Sequence, residues 1–408
     1  MSGRRIVFLN LLIDQLWAEH SLEKIFPVRS PVNVGLARAM DQLGQFFCEP
    51  GDMLVCSAPA EPGLHDLLAA KGAVPTALRR IVAGSSPGSE EWKQELAGIP
   101  ELRSATGAFF SATSSVEAWL AATFLGSKPA IPEELFRRLN DKRYLTALAP
   151  RLGLAFPETH LLGAGDPALD GGRWLFKAAV SAGGSGIVAG RGDWKTQLAY
   201  LRRMGEASGA EMAWLAQREL ERRGDYYTLA EVDASGTATV TAQFELEYGE
   251  SFSSTAHRWL KEGSAPAALG EAALKLGAEL AKEGYRGSFG LDGFLAADGQ
   301  VYPVIDLNVR VDKCRAILQA CLRLGRAPGG AVCRRSRIPA PPGGFAALWP
   351  RWMRAASLGA DGGGAEEDFC FPLAWAAVGG IVDLYWLANP DGAEAAGAAL
   401  AAALRGDA

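Results

Sequence analysis

Two apolar runs joined by a short turn constrain the fold of this chain more than any other feature of its sequence. The runs cover residues 289–294 and 301–310, and an Asp-Gly pair ending at Gly299 lies between them. Such a pair between two strand-like runs is a strong hairpin signal. A three-residue turn with Gly299 in the left-handed conformation sets Asp292 opposite Asp306. The sequence therefore predicts an antiparallel hairpin in which two carboxylates face each other.

In this register the pleat gives the hairpin one apolar face and one polar face. The apolar face is predicted to carry Phe289, Leu291, Leu295, Val301, Ile305, Leu307 and Val309. The polar face is predicted to carry Asp292, Asp306, Asn308 and Arg310, with Phe294, Tyr302 and Val304 nearer the turn. A slip by one residue would scatter the carboxylates over both faces, so the apolar pattern itself favours this register. Two carboxylates and an amide oxygen are hard ligands suited to Mg²⁺, and a solvated face with ordinary ion pairs is the alternative.

A lysine in an apolar strand precedes a glycine-rich segment. Lys177 lies within the predicted strand 174–180, and the residues that follow include Ser181, Gly183, Gly184, Ser185 and Gly186. Burying a lysine is costly without an anion, and glycine-rich backbone can approach phosphate oxygens closely. The pattern predicts a phosphate site, with a surface lysine beside a flexible turn as the alternative. Because the lysine comes before the glycines, the order differs from that of a Walker loop or a protein-kinase loop.

The length of 408 residues indicates two or three domains of a mixed α/β (α+β) class. We expect an N-terminal α/β unit over 1–130, a core unit over 131–327 and a C-terminal extension over 328–408 that packs on the core. The strands predicted besides those above are 6–9, 53–56, 226–232 and 237–245. The predicted helices are 64–71, 194–204 and 266–283, one starting at the triplet Asn140-Asp141-Lys142, and the Ala-rich tail from Ala393.

Charge and composition exclude several classes of protein. A formal net charge of -5 argues against a broad basic surface for nucleic acid or anionic lipid. Six cysteines without a paired spacing suggest buried, reduced thiols rather than a zinc site or a disulfide framework. The apolar stretch after Arg5 is interrupted by Asn10 and ended by Asp14, so it fits a first strand better than a signal sequence. We therefore expect no membrane span and a cytoplasmic protein, and whether it forms a homodimer is left open.

Taken together, these segments resemble the ATP-grasp superfamily over roughly residues 130–325. Asn308-Val309-Arg310 matches the Asn-x-Arg form of the metal motif and is the most specific match. The resemblance implies an ATP-grasp fold behind a Rossmann-like N-terminal domain. Among the subgroups, the pheganomycin-type peptide ligases look closest in length, in their unusual preceding domain and in their C-terminal extension.

The resemblance also implies a role for each matching residue. ATP phosphates would contact Lys142, Lys177 and the 181–186 loop, adenine would lie on the hinge backbone at Gln217, Arg218 and Leu220, and ribose would contact Asp225. Mg²⁺ would bind Asp292, Asp306 and Asn308. Asp306 stands where glutamate is usual, which leaves open whether one or two metal ions bind. Arg310 and Lys177 would be catalytic, with Arg310 holding the substrate carboxylate and stabilising the oxyanion formed during amine attack.

The activity implied is ATP-dependent ligation of a small carboxylate to an amine, such as an amino acid or short peptide, through an acyl phosphate. An ATP-grasp kinase, a carboxylate-thiol ligase and a nucleotide-binding regulatory protein remain alternatives. Glu245, Glu247, His257 and Arg258 are secondary candidates for facing the acceptor.

Overall fold

Three β-sheets organise the chain. The structure is a computed structural model and describes residues 4–9, 35–36, 39–59, 61–85, 89–111, 115–162, 169–180, 186–190, 195–200, 203, 213–249, 254–359 and 370–406. Strands and helices are both abundant, so the mixed α/β class predicted from the sequence is confirmed.

The first sheet is parallel and belongs to the N-terminal part of the chain. Its strands are β1 (Arg5–Phe8), β2 (Met53–Cys56), β3 (Arg79–Val82) and β4 (Gly107–Phe110), in the order β3-β2-β1-β4. The helical segments around it are α1 (Pro62–Ala70), α2 (Glu90–Ala97), α3 (Ser115–Leu120), two 3₁₀ segments (Met40–Phe47 and Pro100–Ser104) and a π-helical turn (Ala121–Leu125). Parallel strands are covered on both faces and read as apolar runs, which is why the sequence predicts β1 and β2.

The second sheet is small and antiparallel. Its strands are β5 (Thr159–Leu162), β6 (Trp174–Ala178), β7 (Ile187–Gly190) and β8 (Trp214–Arg218), in the order β5-β8-β6-β7. The helices α4 (Glu133–Leu139) and α5 (Lys142–Arg151) precede it, and residues 195–200 are helical. The Asp141 carboxylate caps α5 by accepting from the Arg143 amide at 2.9 Å. The predicted helix start at the Asn-Asp-Lys triplet is thereby confirmed.

The third sheet has eight strands. They are β9 (Arg222–Val232), β10 (Ala238–Tyr248), β11 (Ser254–Trp259), β12 (Gly287–Ala296), β13 (Val301–Asn308), β14 (Val332–Pro339), β15 (Cys370–Val378) and β16 (Ile381–Ala388). Their order is β13-β12-β9-β10-β11-β14-β16-β15. The remaining helical segments are α6 (Ala267–Lys282), α7 (Lys313–Arg323), α8 (Gly344–Gly359), a 3₁₀ turn (Pro390–Gly392) and α9 (Ala393–Arg405).

Different helices cover the two faces of this large sheet. On one face, α5 and α6 pack with alternate residues such as Ala230 and Leu291. On the opposite face, α7 and the segment Met40–Phe47 pack with Tyr227 and Leu229. The sheet is therefore a layer between two apolar cores, and polar residues of its strands lie where the helical cover ends.

The large sheet continues past residue 327. β14 pairs with β11 and with β16, so the C-terminal strands and the hairpin of β12 and β13 belong to one sheet. The division of the chain into 1–130, 131–327 and 328–408 stays a prediction. All six cysteines are buried free thiols, as expected. Within the described ranges, no helix combines the length and hydropathy needed to cross a bilayer.

Candidate active site

The hairpin of β12 and β13 carries the two carboxylates. Asp292 pairs with Asp306, and Gly290 with Asn308, which confirms the predicted register at this end. Asp292 also pairs with Tyr227 of β9, so both carboxylates lie on the sheet face that α7 partly covers. Gly290 allows β12 to pack closely against the Tyr227 side chain, because a Cβ at residue 290 would lie 1.8 Å from the Tyr227 hydroxyl oxygen.

A bulge between Asp292 and Phe294 corrects the predicted faces near the turn. Gly299 has the expected positive φ of 89°, but the pair next to the turn is Leu295 with Val301 rather than the predicted one. The shift places Val304 in the apolar core under α6 and brings Ile305 to the site. The expectation for these two residues was therefore wrong, because the bulge reverses the alternation of β13 at this point.

Burial and the charge of its neighbour change the pKa of one carboxylate of the pair. Burial, followed by the charge of Asp306, raises the pKa of Asp292 to about 7. Asn308 Nδ2 donates to Asp292 Oδ2 at 3.0 Å, and the Tyr248 hydroxyl lies 3.4 Å from Asp292 Oδ1. Asp306 Oδ2 lies 3.2 Å from Lys142 Nζ. Two acids forced together in this way favour the binding of a cation between them.

Two buried lysines approach the carboxylates from α5 and β6. Lys142 is 7% exposed and Lys177 is 5% exposed. The Lys142 amide donates to the Ala179 carbonyl at 2.8 Å, which fastens the start of α5 to the end of β6. Burial lowers the pKa of Lys177 to about 8; the charge of Asp306 opposes this change and the charge of Lys142 adds to it. A multiply charged anion would stabilise both ammonium groups.

Asn140 orients the arginine of the Asn-x-Arg segment. Arg310 donates to Asn308 Oδ1 at 2.7 Å and to Asn140 Oδ1 at 2.9 Å. The Asn140 amide group also bonds to both the amide and the carbonyl of Val309, at 2.9 and 3.2 Å. The sequence analysis assigned its triplet only a helix start and a lysine, and it missed this role. No local pattern signals a contact between residues so far apart in the chain.

The donor set of Asp292, Asp306 and Asn308 fits Mg²⁺, which prefers a few carboxylates together with phosphate oxygens and water. The raised pKa of Asp292 supports the fit, because a cation would offset the repulsion. Asn308 Oδ1 accepts from Arg310 here, and its second lone pair could ligate an ion at the same time. In the part of the chain that the structure describes, no three His, Cys, Asp or Glu side chains form a metal cluster. A bound ion would be held mainly by the carboxylates of Asp292 and Asp306 and by the phosphate oxygens of its nucleotide.

The predicted hinge is β8 and the residues after it. Gln217 is buried, and its Nε2 donates to Thr159 Oγ1 at 3.1 Å. The Arg218 amide donates to the Glu158 carbonyl at 2.8 Å, and the Arg218 guanidinium pairs with the Glu158 carboxylate at 2.8 Å. Leu220 packs on the small apolar cluster of the hairpin turn. The hinge thus joins the small sheet to the large one beside the lysines.

Asp225, the predicted ribose contact, forms an ion pair with Arg222 at 2.6 Å. The Arg222 guanidinium lies 4.6 Å from the centroid of the Phe294 ring. Its charge also contributes to the lowered pKa of Lys177, after the larger effect of burial. Arg222 is a cation of the site that the sequence analysis missed, although it lies three residues before Asp225.

Of the glycine-rich segment after β6, the structure describes Gly186. Ser181, Gly183, Gly184 and Ser185 lie outside the described residues. Gly186 is described, has φ of 81°, and accepts from the Ala178 amide at 2.8 Å as β7 begins. The position of Gly186 beside β6 fixes where the loop ends.

A small cavity of about 10 Å³ lies between the small sheet, α5 and β13. The residues lining it are Lys142, Leu145, Thr146, Phe156, Thr159, Lys177, Leu215, Gln217 and Ile305. Both lysines and the hinge glutamine therefore share one space with the residue that the bulge turns inward.

Of the four secondary candidates, only His257 lies on the face of Asp292. Glu245 pairs with Arg258 on the opposite face, where the two side chains lie 3.5 Å apart. Glu247 lies on that opposite face as well. Strand alternation thus separates His257 from the other three candidates, and the suggestion that these residues could face the acceptor stays a prediction.

Similarity to known proteins is found in the structure and not in the sequence. No protein-family model and no curated protein matches the sequence. N5-carboxyaminoimidazole synthetase from Staphylococcus aureus, complexed with ADP, matches with a TM-score of 0.54 and 11% identity, over 91% of this chain and 94% of that chain. The N5-carboxyaminoimidazole ribonucleotide synthetase of Thermus thermophilus matches with a TM-score of 0.53 and 14% identity, over 91% and 96%.

The synthase from Aspergillus clavatus, in complex with ADP and 5-aminoimidazole ribonucleotide, matches with a TM-score of 0.51 and 11% identity, over 86% of this chain and 98% of that chain. These matches cover most of each chain. At such identities they show the fold and nothing finer. The predicted fold is confirmed, and the chain has the ATP-grasp fold.

Proposed function

We propose that the chain is an ATP-dependent ligase that joins a carboxylate to an amine and releases ADP and phosphate. One observation carries the proposal: two buried lysines and two paired carboxylates face each other beside a cavity, with Arg310 in the same network. Such a group of charges suits ATP phosphates accompanied by Mg²⁺. The named neighbours with bound ADP add support for nucleotide binding.

In the proposed reaction, an oxygen of the donor carboxylate attacks the γ-phosphorus of ATP. The bond from that phosphorus to the bridging oxygen breaks, and ADP leaves. The amine nitrogen then attacks the acyl carbon, phosphate leaves with the electron pair of the C–O bond, and the nitrogen loses a proton to solvent. Phosphoryl transfer of this kind needs positioning and charge neutralisation more than covalent help.

Each part of the site has a task in this reaction. Lys142 and Lys177 neutralise phosphate oxygens, and the hinge at Gln217, Arg218 and Leu220 holds adenine. Mg²⁺ on Asp292, Asp306 and Asn308 would supply further charge neutralisation when bound. Asp225 binds ribose, and the loop of Ser181, Gly183, Gly184, Ser185 and Gly186 excludes water.

Arg310 holds the donor carboxylate and then stabilises the oxyanion formed when the amine attacks. Its contacts support this role, because the side-chain amide oxygens of Asn140 and Asn308 orient the guanidinium beside the carboxylate pair.

Within the fold we propose an acid–amino acid ligase of the pheganomycin type, acting on amino acids or short peptides in the cytoplasm. Chain length, the parallel sheet before the core and the C-terminal strands support this choice. The number of metal ions at Asp306 and the oligomeric state stay open.

The test is ADP release by the full chain with Mg²⁺-ATP and a panel of amino acids, short peptides and other carboxylates, each offered with amine acceptors. Mass spectrometry of the products separates the reaction classes. A product equal to acid plus amine minus water supports the proposal, whereas a gain of one phosphate identifies a kinase and a thioester identifies a carboxylate-thiol ligase. ADP binding without turnover on any pair would favour a regulatory role.

A further inference from the structure

Five side chains form a second polar group on the large sheet, away from the carboxylates. They are Ser254 and His257 of β11, Lys313 of α7, Arg335 of β14 and Tyr385 of β16. We refer to them as the distal cluster. None of them has a task in the reaction described above.

Strand pairing puts the distal cluster on the face that carries Asp292. Asp292 pairs with Tyr227, which pairs with Phe244. Phe244 pairs with Trp259, and His257 precedes Trp259 by two residues and so shares its face. Three strand spacings separate β12 from β11, and His257 lies two residues along β11 from the position opposite Asp292, so roughly 16 Å separate the two residues along the sheet.

Direct contacts hold the cluster together. Lys313 Nζ donates to Ser254 Oγ at 2.9 Å, and Ser254 Oγ lies 3.0 Å from His257 Nε2. The Tyr385 ring lies beneath both cations, with its centroid 5.7 Å from Lys313 Nζ and 5.9 Å from Arg335 Cζ. The two cations therefore flank one aromatic ring and point to a common space.

Lys313 lacks a carboxylate partner: among the described residues it forms no ion pair, and its ammonium group donates to Ser254 Oγ. Arg335, in contrast, shares the buried carboxylate of Asp383 with Arg337. Asp312, next to Lys313, caps its own helix by accepting from a backbone amide at 3.0 Å. Burial raises the pKa of Asp312 to about 6. An added anion would give Lys313 an ionic partner.

His257 supplies an independent sign of a missing ligand. It is 2% exposed, and its Nδ1 has no hydrogen-bond partner among the described residues. Burial lowers its pKa well below the ordinary value, and the charges of Lys313 and Arg335 lower it further, so the ring is neutral. Buried polar atoms nearly always have a partner, which makes this nitrogen an exception that a bound molecule would remove.

We propose that the distal cluster binds an anionic group of the amine acceptor, either a carboxylate or a phosphate, while the amine of the same molecule reaches the carboxylate pair. This inference rests on the proposed ligase function, because that function makes the bound molecule an amine acceptor. The separation selects an elongated acceptor, because an extended peptide spans about 3.3–3.6 Å per residue. A peptide of about four or five residues therefore has the required reach and a single amino acid does not.

Binding to the full chain loaded with ADP and Mg²⁺ tests the inference without turnover. The probes are tetraglycine, its C-terminal amide and an ω-aminoalkyl phosphate of similar length, each titrated by calorimetry. The variants are Lys313→Met and, as the matched control, Arg258→Met, which removes a cation from the opposite face of β11. Thermal unfolding verifies that both variants are folded, and Lys313→Arg is added to retain the charge.

We expect an anionic probe to bind the natural chain and to lose at least tenfold in affinity with Lys313→Met, but less than threefold with Arg258→Met or Lys313→Arg. The amide should bind the natural chain at least tenfold more weakly than tetraglycine if carboxylate is the anion; stronger binding of the phosphate identifies that group instead. Equal losses in Lys313→Met and Arg258→Met, equal affinity for all three probes, or no binding at millimolar concentration would overturn the inference. Anion binding at this cluster without ADP release from any substrate pair would refute only the ligase function.

Discussion

Arg310 donates to the side-chain amide oxygens of Asn140 and Asn308, which orient its guanidinium beside the carboxylate pair. We expect Arg310→Met to lower kcat about 100-fold, the size of effect seen when one oxyanion donor is removed. The affinity for ADP should change little, because the lysines and carboxylates remain. Steady-state ADP release and ADP titration measure the two quantities. Full activity of Arg310→Met, alongside loss of activity in Asp306→Asn, would show that Arg310 has no such role.

Asp292 makes the stability of the metal-free protein depend on pH. Its pKa is about 7 in the fold and 3.8 ordinarily, so between these values the folded state binds a proton that the unfolded state lacks. Stability therefore falls as pH rises through this window. Asp292→Asn removes the effect and should raise the unfolding midpoint at pH 8 in EDTA by roughly 2–4 °C. This shift corresponds to a gain of about 1 kcal/mol in the free energy of unfolding.

The two proteins should unfold at more similar temperatures at pH 4, where Asp292 is protonated in the fold. Added Mg²⁺ and ADP should stabilise the natural chain and not Asp292→Asn, because the variant lacks one anionic metal ligand. A lower midpoint for Asp292→Asn at pH 8 in EDTA would contradict this account of the carboxylate pair.

At the scale of the hairpin, Gly293 permits the bulge that turns Ile305 into the site. A Cβ at residue 293 would lie 2.8 Å from the Pro303 carbonyl oxygen and 2.9 Å from that of Tyr302. Because backbone atoms cannot move aside easily, Gly293→Ala should destabilise the protein by about 1–3 kcal/mol and weaken ADP binding. Gly299→Asn is the matched control, since its site is open and asparagine tolerates positive φ. Equal denaturation midpoints for the two variants would refute the role of the bulge.

The hairpin also shows how far its sequence could be interpreted. Alternation of apolar and polar residues predicts the pairing of Asp292 with Asp306, because any slip would bury charge. The bulge cannot be predicted from this alternation, because it depends on how Gly293 packs against the paired strand. The strand β11 was missed for a similar reason: His257 and Arg258 interrupt an apolar pattern that becomes meaningful only beside β10 and β14.

At the scale of the whole molecule, the limits of prediction are contacts between distant segments. Local spacing predicts a cap at Asp141 and a lysine at residue 142, and both are present. It cannot predict that Asn140 bonds to Val309 and Arg310, because that contact joins a helix end to a strand end across the fold. It also cannot predict that Glu245, Glu247 and Arg258 lie on the sheet face away from Asp292, since the face of β10 and β11 depends on their partners.

The C-terminal strands complete a sheet and a core that the earlier part of the chain begins. β14 pairs with β11, and a single apolar core includes Leu43 of the N-terminal part, Phe244 of β10 and Trp386 of β16. Removing residues 328–408 would expose both the edge of β11 and this apolar face. We therefore expect the fragment 1–327 to aggregate and to lack a cooperative thermal transition, as judged by gel filtration and circular dichroism. A monomeric 1–327 fragment that melts cooperatively and binds ADP would show instead that the C-terminal strands are an accessory to a self-sufficient core.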